Sequence, residues 1–224
     1  MLRAEHKSLE IPERQSLAML IFEQLERMIL SGILRPGEPI NERALSESNG
    51  LSRAPIREAC RRLEQAGLVE IVVNRGAFVR TITKRAAEEL CEVRLVLARH
   101  AGRLAVECMS DADIGDLARI MSAIEAAIDR RDLPEFYRLN HDFHMRIIRG
   151  SGNERLAGIY EAVNKELSLF RWRALKGGIE LWEAATAHRE IVEALEARNV
   201  EDLLEVVQAH LEAANRRLLR TVVD

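Results

Sequence analysis

Apolar residues in the opening segment recur at spacings of three and four: Leu17, Leu20, Ile21, Leu25, Met28 and Ile29. That period places them on one face of a helix over 16–30. Ser31-Gly32 ends it, and Arg35-Pro36-Gly37 turns the chain. Asn41 is placed to cap a short helix to residue 48, and Asn49-Gly50 breaks it, because glycine accepts the positive φ of a helix end. Ser52 is the expected cap of a third helix, about 54–66, with Ile56, Ala59, Cys60 and Leu63 as its buried stripe and Gly67 as its stop. Beyond Gly67 the pattern becomes β-branched. Strands are predicted at 68–73 and 77–80, around a turn at Asn74-Arg75-Gly76. Two short helices joined by a glycine turn and followed by a hairpin make a winged helix-turn-helix.

From Thr83 onward the pattern is helical almost throughout. Six helices are predicted, at about 84–108, 111–130, 134–149, 153–176, 179–198 and 200–221. Asp111, Pro134 and Asn153 mark starts; Gly150, Gly152 and Gly177-Gly178 mark stops. The expected fold is therefore mainly α. A winged helix-turn-helix over 1–80 is joined by a hinge at 81–83 to an antiparallel all-α bundle over 84–224.

Composition agrees with a helical globular protein, with 47% hydrophobic, 31% charged and only 4% aromatic residues. No apolar run approaches the roughly 20 residues of a membrane helix, and MLRAEHKSLEIPERQ lacks the apolar stretch of a secretory signal. Cys60, Cys91 and Cys108 show no paired spacing, so reduced, buried cysteines in a cytoplasmic protein are expected. The net charge of −3 argues against nucleic acid until it is divided. Residues 1–80 hold twelve Lys/Arg against eleven Asp/Glu, and four arginines face one glutamate between Arg53 and Arg62. Local charge thus permits DNA binding.

The third helix carries the chemistry of that half. Arg53 and Arg57 project near its N-terminal end, the part that enters the major groove in helix-turn-helix proteins. A guanidinium fork can bond guanine O6 and N7 together. The helix start at Ser52 offers N–H groups to a phosphate, and Pro55 is tolerated in the first turn, which needs no internal donor. Arg75, at the wing, is placed for a phosphate contact. The plainer reading, arginines that merely solvate a helix face, leaves the wing and turn unexplained. The stretch SGILRPGEPINERALSESNGLSRAPIREACRRLEQAGLVEIVVNRGAFV resembles the DNA-binding domain of GntR-family bacterial transcription regulators. The resemblance implies operator contacts at Arg43, Ser52, Arg53, Pro55 and Arg57, with Gly76 at the wing tip approaching the minor groove. Ala54 stands where a Thr or Ser is common.

The bundle raises a different question. In LNHDFHMRII, Asn140 and His144 lie four apart on a stripe that should be buried. His188 lies on the stripe Leu181, Ala184, Ile191, Leu195, and His210 on Leu203, Val207, Ala214, Leu218. If the last two helices form a hairpin about residues 197–200, both histidines sit ~16 Å from the turn and side by side. One inward histidine is ordinarily a satisfied core residue, whereas three on apolar stripes can hold a divalent metal and leave positions open for a small ligand. His6, His100 and His141 fall off these stripes. This half resembles the FCD effector domain of FadR-like GntR regulators, which often holds a divalent metal. The resemblance implies ligands at Asn140, His144, His188 and His210, with Asn140 replacing an Asp and removing one negative charge. It also implies an effector contact at Arg94, for which a surface ion pair with Glu88, Glu92 or a neighbour is the alternative.

Together these readings predict a cytoplasmic, homodimeric regulator of a pseudo-palindromic operator, a repressor, controlled by a small carboxylate at a zinc or nickel site. A rival regulator reading makes the ion itself the signal. A metal-dependent hydrolase is the third, and it lacks an inward Glu or Asp beside the histidines to act as general base.

Overall fold

Residues 16–171 and 179–220 are described by a computed structural model of the chain. They form helices α1 (Leu17–Leu30), α2 (Glu42–Asn49) and α3 (Arg53–Gln65), then α4 (Lys84–Cys108), α5 (Asp111–Asp129), α6 (Leu133–Gly150), α7 (Glu154–Arg171), α8 (Ile179–Glu196) and α9 (Val200–Leu219). Strands β1 (Pro39–Ile40), β2 (Val69–Val72) and β3 (Gly76–Val79) make one antiparallel sheet in the order β1-β3-β2. The β2–β3 hairpin is the predicted wing. β1 was not anticipated: two residues are too short to show a period, and they pair with Ala77 and Phe78.

Capping explains the boundaries and corrects several of them. Asn41 Oδ1 accepts from Ala44 N, and Gly50 closes α2 at φ 63°. Ser52 occupies the cap position of α3 without a capping hydrogen bond, leaving its hydroxyl to other partners. α5 starts at Asp111 as expected, capped by Ser110 in a reciprocal box with Asp113. Asp132 caps α6 ahead of Pro134. The predicted end of α7 at 176 and the stop at Gly177-Gly178 lie outside the described residues.

Two apolar cores result. One fills the bundle, where α4 packs on α6, α7 and α9, and α5 packs on α6 and α8. The other belongs to the winged helix yet crosses the seam. Leu25, Ile29, Ile56, Leu63, Leu68 and Val79 cluster with Ala87 and Cys91 of α4, Val163 and Leu167 of α7, and Leu218 of α9. Ile82, between β3 and α4, is buried in that cluster, so the connecting segment is pinned. Polar contacts reinforce the seam. Arg80 Nη1 meets Glu166 Oε2 at 2.5 Å, and Lys165 Nζ meets Glu26 Oε1 at 3.2 Å. Gly67, at φ +74°, abuts Glu166 so closely that a Cβ there would stand 2.8 Å from Glu166 Cγ.

Cysteine placement departs from expectation at one position. Cys60 and Cys91 are buried, with the Cys60 thiol pushed up to about 11 by burial and by the neighbouring Glu42. Cys108, the last residue of α4, is exposed.

Candidate functional site

The residues expected to face DNA lie in the two short helices and the wing that local sequence predicts. Ser52, Arg53 and Arg57 are exposed at the start of α3, Pro55 is half-buried in its first turn, and Arg43 is exposed on α2. Arg75 and Gly76 are exposed at the wing tip, where Gly76 adopts φ 95°. The Arg75 guanidinium lies 5.4 Å from the Phe78 ring centre, a cation–π contact that orients it along the wing. Arg43 pairs with Glu47 and Arg57 with Glu42.

The second site is assembled from helices far apart in sequence. α6 brings His144, α8 brings His188 and α9 brings His210, because each histidine occupies a position of its helix's apolar stripe. The turn between α8 and α9 sets their register, with Arg198 at φ 54° and Asn199 capping α9. Nε2 of His144 lies 3.2 Å from Nε2 of both His188 and His210. The ligand atoms of all three lie within 4.8 Å of one another. Nitrogens bound to one zinc at about 2.0–2.1 Å are themselves about 3.3 Å apart, so the spacing suits a shared ion.

Electrostatics prepare the same role. His188 and His210 are buried, and desolvation opposes the charged form of each. His188 is held well below its usual range by burial, then by His210; His210 falls to about 3 through burial, then Arg217 and Arg94. Both therefore present neutral imidazoles, the form that binds metal. His188 Nδ1 is buried without a hydrogen-bond partner, a polar atom that the fold alone leaves unsatisfied. Asn140 is half-buried one turn before His144. Among the described residues no carboxylate joins the three histidines.

Arg94 settles one alternative. It is 4% exposed, and its guanidinium donates to Asn164 at 3.5 Å and to Asn215, with Nε left buried and unpartnered. A surface ion pair with Glu88 or Glu92 is thereby excluded. Among the described residues its hydrogen-bond acceptors are neutral amides, and burial of a charge without an opposite one is costly. A cavity at His144 and His210 is lined also by Ala98, Tyr160 and Ile191, among others. Sequence reasoning missed Tyr160, Asn164 and Asn215. The signal available was the four-residue step from Tyr160 to Asn164, the same step that marks Asn140 and His144. Of the remaining histidines, His100 is exposed and His141 half-buried, while His6 lies outside the described residues.

Comparison with known proteins agrees with both halves. Residues 17–79 match the bacterial regulatory proteins of the gntR family, and residues 89–213 match the FCD domain. The chain is 32% identical over 190 residues to YdhC of Bacillus subtilis (strain 168), an uncharacterized HTH-type transcriptional regulator, covering 84% of this chain and 85% of that one. It is 30% identical over 190 residues to a probable D-xylose utilization operon transcriptional repressor of Paenarthrobacter nicotinovorans, covering 84% and 82%. Among solved structures, E. coli McbR/YncC has the same fold, with a TM-score of 0.83 at 22% identity over 92% of this chain and 99% of that one. The chain belongs to the GntR family of bacterial regulatory proteins, a transcription regulator that joins a DNA-binding winged helix to an FCD domain.

Proposed function

We propose that this regulator is a homodimeric repressor whose grip on its operator is set by a small organic acid bound at a metal centre in the helical domain. The observation that carries the reading is the meeting of His144, His188 and His210, the last two held as neutral imidazoles by burial, with the buried guanidinium of Arg94 near enough to His210 to oppose its charging. In it, His144, His188 and His210 hold zinc or nickel, with Asn140 as a fourth ligand through its carbonyl oxygen. The ion and Arg94 then each take negative charge from the acid. The repressor sign is supported by the Paenarthrobacter relative, which is named a repressor.

Reading an operator with one small winged helix gives few contacts, and a two-fold dimer doubles them on a pseudo-palindrome. Val93 and Val96 on α4 and Ile159 on α7 are exposed apolar residues that a second copy would cover. No helix among the described residues is long and apolar enough to cross a membrane, and the proposed place of action is the cytoplasm, where the operator is.

α7 links pocket to reader. Its Tyr160 and Asn164 face the cavity and Arg94, while Val163, Lys165, Glu166 and Leu167 contact the winged helix. An acid that displaces Asn164 from Arg94 would move the helix that positions the reader. For that shift to occur it must bind one arrangement better than the other.

A second reading, in which the ion itself is the signal, is favoured by the cavity's largely apolar lining of Ala98, Ile147, Ile148, Ile191, Val207 and Leu211. Calorimetry of chelator-stripped protein with zinc and nickel tests the site. Titration of a DNA duplex selected from a random library, with metal alone and with metal plus a panel of organic acids, then separates the two readings. Release by metal alone favours the ion; release only with an acid favours the effector.

A further inference from the structure

Glu42 is an acidic residue on a surface that must approach phosphates, and its environment sets it apart from the other carboxylates there. It is the first residue of α2, following the Asn41 cap, where the helix dipole stabilises a carboxylate. Its side chain crosses to α3, and Oε2 accepts from Arg57 Nε at 3.0 Å. The neighbouring pairs Arg43–Glu47 and Arg62–Glu58 are steps of four within one helix, each acid about half or more exposed. Glu42 is 22% exposed, while the Arg57 it holds is 60% exposed. The same carboxylate raises the Cys60 thiol one turn further along α3, which fixes it in the crevice between the two helices.

A carboxylate so placed repels the DNA backbone, and within about 10 Å that repulsion is felt at ordinary salt. What it gives in return is orientation. A guanidinium donates from Nε and from its two terminal nitrogens. Glu42 occupies Nε, and among the described residues Nη1 and Nη2 of Arg57 have no partner. Those two nitrogens form the fork that matches O6 and N7 of guanine. A long side chain already held in place also loses less freedom on binding. Arg53, by contrast, has no ion pair among the described residues and must be ordered by the DNA itself.

We infer that Glu42 is a positioning residue for operator reading: it clamps Arg57 at Nε so that the terminal fork faces the base edges. The inference rests on the reading that α3 enters the major groove. It differs from a simple staple between helices or a simple repulsive charge in what it predicts for specificity.

The test compares full-length wild type, Glu42→Gln, Glu42→Ala and Arg57→Ala on two duplexes of equal length. One is selected from a random library by the wild-type protein, and the other is scrambled. Glu42→Ala should bind the scrambled duplex as well as or better than wild type, since a negative charge is gone. It should bind the selected duplex more weakly, so that the ratio of the two affinities falls by roughly tenfold. Glu42→Gln, whose amide oxygen still accepts from Nε, should fall between. A ratio unchanged in Glu42→Ala overturns the inference, whether both affinities rise (a repulsive charge only) or both fall (a fold staple only). The Arg57→Ala arm keeps the underlying reading separate. If Arg57→Ala loses the preference while Glu42→Ala keeps it, positioning alone is wrong; if Arg57→Ala keeps it, the assignment of α3 to the groove fails.

Discussion

The winged helix and the bundle place the side chains proposed to do their work in opposite ways. Arg53, Arg57 and Arg75 stand on an exposed surface, within one stretch of 23 residues, and two of them are held by side chains of the same domain, Arg57 by Glu42 and Arg75 by Phe78. His144, His188, His210 and Arg94 are drawn from four helices and lie wholly or partly inside the bundle. A surface that reads a long polymer must project charge outward. A pocket that holds a small charged ligand gains from low dielectric, which strengthens each contact and shifts each pKa. The two regions should therefore fail independently, and the seam between them should fail differently from either.

The largest effect is expected inside. His188→Ala or His210→Ala should lower zinc or nickel affinity by more than about hundredfold by calorimetry, with DNA binding largely retained, because the exposed reader is untouched. Undiminished metal uptake in either variant would reduce the histidines to core residues.

Acid should expose the same asymmetry. His210 is held at about 3 in the fold and titrates near 6.5 when unfolded, so between those values the unfolded chain binds the extra proton. Stability of metal-stripped protein should thus fall as pH drops from about 6.5 towards 3, by on the order of a few kcal/mol, with no contribution from this group above 6.5. Urea unfolding at pH 5 and 7.5 should show a larger loss for wild type than for His210→Gln. Equal losses would mean that His210 is protonated at little cost in the fold.

On the outer surface, Arg53→Ala and Arg57→Ala should each weaken binding of a selected duplex by about 1–3 kcal/mol, with metal uptake and thermal midpoint unchanged. Full-strength binding by the double variant would move the reading surface elsewhere.

The seam gives the smallest change. Gly67→Ala should cost about 1–2 kcal/mol, because φ +74° disfavours a Cβ and because the new atom displaces Glu166 from Arg80. Adding Glu166→Ala should return part of that loss in a double-mutant cycle; strict additivity would show that the two positions do not meet.

What the sequence revealed follows the same division. Nearly the whole reader was legible because its signals are local: the Ile56, Ala59, Cys60, Leu63 stripe, the Gly50 break and the Asn74-Arg75-Gly76 turn each span a few residues. The exceptions are contacts across elements. β1 exists only by pairing with β3, and Glu42 finds Arg57 fifteen residues away. In the bundle, the histidines were legible because a polar residue on an apolar stripe stands out. Arg94 was legible only through family likeness, since nothing in its own helix says that a guanidinium will be buried between Asn164 and Asn215, 70 and 121 residues distant. The seam formed by Glu166, Arg80 and Gly67 left no trace in any periodic pattern, because it depends on how two cores meet.

The central claim is that an acid bound at the histidine centre controls a reader it never touches. Fluorescence anisotropy of a selected duplex measures this directly, using zinc-loaded wild type and His188→Ala titrated with the same organic acids. The account predicts that at least one acid releases the wild-type protein from the duplex and leaves His188→Ala bound. Release of both proteins at the same acid concentration, or failure of stripped wild type to take up zinc or nickel at all, would contradict it.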